Sequence, residues 1–360
     1  MKKILFVLIV IISFGVIASA KSPASEPLIA YKLKGLWYFL NQQGNELFPA
    51  KAIEDVLGYG DGYFTIKYKD GEVIKNGMMN LKGEIVFKPD CDKLSVFQDS
   101  MAITIKYVDS EKTLGKYGFI NLKGEQVISN KMNGVSFFSE GIAFAADGPK
   151  KGYIDKTGKF VITLDNMAGN LFSEGLAVVN NDKFKSGCID KTGKVVIPLK
   201  YDELGDFTEG LNRFYLNAKV GFIDKSGNEV IRPIYDDAKG FSNGIALVAM
   251  SNSRGNYSWG FINKKGDLVS KDYKFELIRD FSENVAAVKQ DMFWTFVDKE
   301  GNNVFPAVYS YAESFKNGIA WVSNKIIDRR GYMDMSGNFV IDIPKFEKAI
   351  DLRFNRKISL

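Results

Sequence analysis

One long apolar stretch, ILFVLIVIISFGVIA from Ile4, opens the chain, and no later apolar run approaches that length. Glycines and charges interrupt each one. Beyond the opening, apolar residues come as short clusters on either side of turns, as in Gly-Phe-Ile-Asp and Val-Val-Ile-Pro around Asp-Lys-Thr-Gly. That arrangement predicts a hairpin, with the turn glycine supplying a positive φ. Leu-Ala-Val-Val, opened by another glycine, reads as a third strand, and YDELGDF at Tyr201 as a short fourth. Pro89, Pro198, Pro233 and Pro306 close several strand copies, which suits a strand end. No sustained helical period follows the opening stretch, so helix should be scarce.

The hairpin recurs. Its turn glycines are Gly44, Gly83, Gly124, Gly158, Gly193, Gly227, Gly266, Gly301 and Gly337, nine copies spaced 34 to 41 residues apart. A second signature precedes most copies: FSEGIA at Phe138, FSEGLA at Phe172, FTEGLN at Phe207, FSNGIA at Phe241, FSENVA at Phe281 and FKNGIA at Phe315. Two spacings are nearly constant: 6 residues from Gly221 to Gly227, and 17 from Gly193 to Gly210. The third ranges from 11 (Gly210 to Gly221) to 18 (Ser100 to Gly118), so one loop takes up the length variation on a fixed frame.

The unit Trp-Gly-Phe-Ile-Asp/Asn-x-x-Gly-x-x-Val-Ile-x-Pro, followed by Phe-x-Glu-Gly-Leu-Ala, resembles the bacterial WG (KWG) repeat family over residues 30–350. Trp-Gly itself survives intact only at Trp259-Gly260. The resemblance implies an all-β, multi-copy binding or interaction protein and supplies no catalytic residues. Units of this size suit a β-propeller-like toroid, whose closure removes exposed strand edges; an open superhelical β-array is the alternative. Ring closure would pair a strand within Ile29–Leu40 with the segment Phe346–Phe354. The expected organisation is a signal peptide at 1–20, a linker at 21–29 and a repeat domain at 30–355.

Composition narrows the function. The chain has 360 residues and no histidine, which removes Ser/His and Cys/His nucleophile pairs and His-ligated metals. A formal charge of +5 is too weak to imply nucleic acid. Lys2, Lys3, the apolar stretch and Ala18-Ser19-Ala20 have the form of a secretory signal. The expectation is an exported protein, periplasmic or extracellular, with no membrane span after cleavage. Cys91 and Cys188 read as small core residues of distant repeats.

Three candidate chemistries remain. Asp61, Asp99, Glu140, Glu174, Glu209, Asn243, Glu283 and Asn317 form an acid or amide row ahead of the second strands. Strand direction places the turn lysines Lys82, Lys123, Lys156, Lys191, Lys225, Lys264 (or Lys265) and Lys299 near it, as ion pairs. The turn residues Asp155, Asp190 and Asp224 are read as caps and not as calcium ligands. The variable loops at 65–76, 104–117 and 249–259 carry the candidate ligand-binding residues Tyr68, Lys69, Lys106, Tyr107, Lys112, Arg254 and Tyr257. No catalytic, cofactor or metal residue is expected. The leading expectation is a non-enzymatic scaffold binding a protein of the cell envelope. Cell-wall glycan binding is the alternative, since GLWYFLNQQG at Gly35 is similar to cell-wall-binding repeats. A propeller-type hydrolase is a more distant one.

Overall fold

The computed structural model describes residues 26–165, 167–251, 255–272, 274–306, 308–324, 326–343 and 346–358. The expected signal peptide, 1–20, lies outside the described residues. Nine small antiparallel sheets follow one another along the chain, and no helix occurs among the described residues. One repeat shows the plan: Glu203–Leu204, Leu211–Leu216, Lys219–Asp224 and Glu229–Tyr235 pair in sequence order. Blades are numbered here from the closing blade, so this repeat is the sixth of nine. In the seventh and eighth blades the fourth strand is reduced to isolated bridges such as Ile262 to Leu268 and Val297 to Asn303.

The ring closes as a nine-bladed β-propeller. Pro27–Leu33 pairs with Leu36–Asn41 on one side and with Lys348–Asp351 on the other, Ala30 facing Ile350. The first and last described strand hairpins thus share one sheet, and the open-array alternative does not apply. Pro27 to Ile29, expected in the linker, belong to that strand, and the closing sheet extends past 355 to Arg356–Lys357.

The described residues form no single core. Apolar residues gather in nine clusters, most of them spanning two adjacent sheets. In one, Phe222 and Ile231 of the sixth blade meet Phe241, Ala246 and Val248 of the seventh. The repeat aromatics Phe119, Tyr153, Phe222, Phe261, Phe296 and Tyr332 are fully buried there. Edge-on ring pairs such as Phe222 with Phe241, 4.9 Å apart, tie neighbouring blades together.

The Trp-Gly glycine has a steric reason. At Gly221 the ladder shifts register between Val220 and Phe222, and the fourth strand crosses close over the third. A methyl group on Gly221 would collide with the carbonyl oxygen of Ile231, and the same clash recurs at Gly118, Gly152 and Gly187. The glycine is therefore fixed by backbone approach. The residue before it is not so constrained, and Tyr117, Lys151, Ser186, Val220 and Arg330 stand there in other copies.

Candidate functional site

The propeller presents two edges. One carries the Phe-x-Glu-Gly turns and the Asp-Lys turns; the other carries the loops between second and third strands. The Glu-Gly pair is a two-residue hairpin turn with both residues at positive φ, Glu140 at 53° and Gly141 at 89°. Asn would fit that turn with less strain than Glu, so the acid is retained for its contacts.

Those contacts cross to the next blade. Glu140, Glu174 and Glu209 accept the backbone N–H of Gly175, Gly210 and Gly244 at 3.0–3.2 Å. The ammonium groups of Lys191, Lys225 and Lys264 reach the same carboxylates at 3.0–3.1 Å. Asp99 holds Gly141 N–H at 2.6 Å and Lys156 at 2.7 Å. Burial works against the charge of Glu174, but the Lys225 ammonium and the Gly210 N–H outweigh it and hold the carboxyl below its ordinary range. The expected ion pairs are thus found at Lys156, Lys191, Lys225 and Lys264, as inter-blade clasps, while Lys82 and Lys123 make no ion pair with the row among the described residues. Where one partner changes, the clasp changes: Asn243 replaces the acid, and Lys299 turns to Glu300 at 3.9 Å instead. These carboxylates are engaged by protein groups and do not form a ligand-binding row.

The turn aspartates also have structural partners. Asp155 Oδ1 accepts from the N–H of Thr157 at 2.9 Å and of Lys159 at 3.1 Å, and from the Thr157 hydroxyl at 2.6 Å. The Thr157 hydroxyl is foremost in holding the Asp155 carboxyl below its usual range. Among the described residues no three acidic or thiol side chains gather as a metal site.

On the loop edge, the candidate residues separate. Arg254 lies outside the described residues. Residues 65–76 are not a loop but the arms of one long hairpin, Tyr63–Asp70 with Val73–Met79, turned by Gly71. Strand alternation then sends Phe64, Ile66 and Tyr68 inward, so Tyr68, expected exposed, is buried. Lys69 faces the other way and pairs with Glu54 at 3.4 Å. Tyr257 is exposed on the seventh blade, remote from the others.

Tyr68, Lys106 and Lys112 do converge. They line a cleft of about 520 Å³ between the second and third blades, with Asn76, Lys88 and Cys91. The Tyr68 hydroxyl is buried and has no hydrogen-bond partner among the described residues. Lys88 lies over its ring at 5.6 Å. Lys106 is paired with Asp90. Tyr107 stands beside the cleft, its N–H given to Asp92 at 2.8 Å and its ring 5.4 Å from the Lys93 ammonium. Burial above all, then Asp92 and Asp90, pushes the Cys91 thiol up to about 12, so it stays protonated at neutral pH. Cys91 is half-buried and Cys188 fully buried, both as free thiols.

Two further observations were not legible beforehand. Trp37 and Phe39 of GLWYFLNQQG are core residues, 1% and 0% exposed, so these two rings are inaccessible to a sugar and only Tyr38 is half-buried. Phe184 occupies a glycine's place. Asn181 Oδ1 accepts from Lys183 N–H at 3.0 Å and Lys185 N–H at 2.9 Å, matching the Asp190 turn, where Gly193 stands at φ 86°. The equivalent residue is Phe184, at φ 56° and 85% exposed.

Comparison with known proteins agrees with this geometry. The model of the WG containing repeat matches seven times, at 77–106, 117–147, 152–183, 187–219, 221–252, 259–291 and 294–325. No curated protein matches the chain. Among solved structures, a eukaryotic initiation factor is similar at 10% identity and a TM-score of 0.62, covering 90% of this chain and 98% of that one. BamB from Moraxella catarrhalis is 10% identical at a TM-score of 0.40, covering 84% of this chain and 90% of that one.

Proposed function

The chain belongs to the WG containing repeat family, and from that premise we propose that it is an exported, non-enzymatic scaffold that binds a protein of the bacterial cell envelope through its loop edge. A repeat propeller suits a binding role, since a rigid frame carries loops that vary independently. The observation behind the reading is the cleft between the second and third blades. It joins an unpartnered, buried phenol to a rim of lysines and aspartates, a set of polar handles that a partner side chain can meet. Against catalysis stand the absence of histidine and the protonated thiols.

The test is capture from envelope extract with Lys21–Leu360, beside a variant carrying Lys106→Ala and Lys112→Ala. One enriched protein, lost with the cleft variant, is the expected result. Enrichment of cell-wall material would replace the protein partner with a glycan. Capture unchanged by the cleft variant would move the site elsewhere on the ring.

A further inference from the structure

The repeat breaks its own pattern where the seventh, eighth and ninth blades meet, on the edge of the Phe-x-Glu-Gly turns. Two residues ahead of the turn phenylalanine, earlier blades carry the uncharged Ser95, Ser136, Asn170 and Gly205. The seventh and eighth carry Lys239 and Arg279 instead. A cavity of about 250 Å³ opens there, lined by four cations and two carboxylates. Lys239 comes from the seventh blade, Arg279 and Asp280 from the eighth, Glu313 and Lys316 from the ninth, and Arg356 from the closing one.

The turn hydroxyls let go at the same place. Ser139 and Ser173 donate to the carbonyls of Phe172 and Phe207 in the next blade, at 2.7 and 2.8 Å. Ser242 and Ser282 hold the equivalent positions and line the cavity, yet neither makes that bond. Ser242 Oγ only accepts a long contact from Asn243 at 3.5 Å, and the Ser282 hydroxyl has no hydrogen bond among the described residues.

The cations are also under-used. Arg279 lies between the rings of Trp294 and Tyr311, 5.2 and 5.3 Å from their centroids, which hold its guanidinium in place. Its ion partner Glu313 stands off at 3.6 Å, its Nε is buried without a partner, and its side chain donates no hydrogen bond among the described residues. Lys316 forms no ion pair among them; it donates to the Arg353 carbonyl at 2.7 Å, where burial and the Arg353 charge oppose its own. The acids are committed, Asp280 to Lys239 at 2.8 Å and Glu313 to Arg356 at 3.2 Å and to the Tyr311 hydroxyl. Two positive charges are left in excess beside free hydroxyls.

A guanidinium fork, an ammonium and hydroxyls from two blades suit an anion that accepts on several sides. A carboxylate presents its oxygens in one plane, whereas a phosphoryl group presents them tetrahedrally. A water-sized group takes about 30 Å³, so the cavity also has room for a substituent beyond the phosphoryl group. We infer that this cavity binds a small phosphate ester, its phosphoryl group held by Arg279, Lys316 and the Ser282 hydroxyl. No residue of it lines the cleft between the second and third blades, so this site and the scaffold reading fail separately.

The ring is complete within 26–358, so Lys21–Leu360 retains every blade. This chain is titrated calorimetrically with glycerol 3-phosphate, inorganic phosphate and acetate. Saturable binding of the ester, tighter than that of phosphate and weakening as salt rises, is the expected result. Ser282→Ala should weaken it severalfold at an unchanged melting temperature, since that hydroxyl bonds nothing in the protein. Arg279→Lys keeps a charge facing Glu313 but loses the fork, and should weaken binding about tenfold or more. Lys183→Ala, on the loop edge, should leave the affinity as it is. No saturable binding of ester or phosphate at low salt overturns the proposal. So does binding that S282A and R279K both leave intact. Acetate bound as tightly as the ester overturns the phosphoryl assignment and gives the cavity to carboxylates.

Discussion

Single residues in this repeat are decided by backbone geometry before side-chain chemistry. Gly221 faces the Ile231 carbonyl across a register shift, so Gly221→Ala should cost about 3 kcal/mol or more, because backbone must move. Gly134 is the control. It has open space around it and no positive φ, so Gly134→Ala should be neutral or stabilising by about 0.5 kcal/mol. Thermal melts of both variants check the pair; equal losses would contradict the steric account. Phe184 makes the converse case: a left-handed conformation costs an L-residue roughly 1–2 kcal/mol, so Phe184→Gly should stabilise by about 1 kcal/mol. The fixed six-residue spacing after the Trp-Gly glycine was plain in the sequence. The reason for it was not, since the colliding carbonyl belongs to a strand whose register no spacing reveals. The glycine-like role of Phe184 showed only in the matching hydrogen bonds of Asn181 and Asp190.

At the scale of the element, the Glu-Gly turn is a hairpin within one blade and a clasp onto the next. Glu174→Gln keeps an acceptor for the Gly210 N–H but removes the charge facing Lys225, so at neutral pH it should cost no more than about 1 kcal/mol. Glu174→Ala removes both contacts and should cost more. The pH dependence follows from the depressed Glu174 carboxyl. A group whose folded pKa lies below its unfolded one adds stability that is present above the unfolded value and lost as pH falls through the folded one. The melting-temperature gap between parent and E174Q should therefore be widest near neutrality and close in acid, below the ordinary carboxylate range. A gap that persisted in acid would mean the loss is packing and not charge. The pairing of acid row with turn lysine was legible, because strand direction places both on one edge. Its inter-blade character was not: Glu174 and Gly210 are 36 residues apart, and sequence alone does not say which repeats touch. Tyr68 shows the same limit on the other edge. Its segment was read as a loop from a variable spacing that the structure fills with a longer hairpin.

For the whole molecule, closure is the property that sequence arithmetic most nearly reached, since nine turn glycines and a strand-like start and end already implied a ring. The lock at the seam was not foreseeable. Arg353 and Asp351, 2% and 4% exposed in their side chains, pair at 2.8 Å where the ninth blade meets the closing one. Arg353 also donates to the carbonyls of Lys316 and Ile319 at 2.8 and 2.9 Å, and the Tyr332 hydroxyl donates to Asp351 at 3.2 Å. Arginine thus ties the ninth blade to the closing one, in which Lys348–Asp351 pairs with Pro27–Leu33. A buried pair is worth little over apolar residues of the same volume, but breaking one side leaves a charge stranded, at about 3–5 kcal/mol. Arg353→Met should incur that loss and open the seam, which hydrogen exchange will report first at Pro27–Leu33 and Lys348–Asp351. The triple variant Y332F/D351L/R353M removes the stranded charge and the unpaired hydroxyl together, and it should recover most of the loss. If the triple variant exchanges as fast as R353M at those strands, the carbonyl contacts of Arg353 hold the ring, and the ion pair merely satisfies the arginine that makes them.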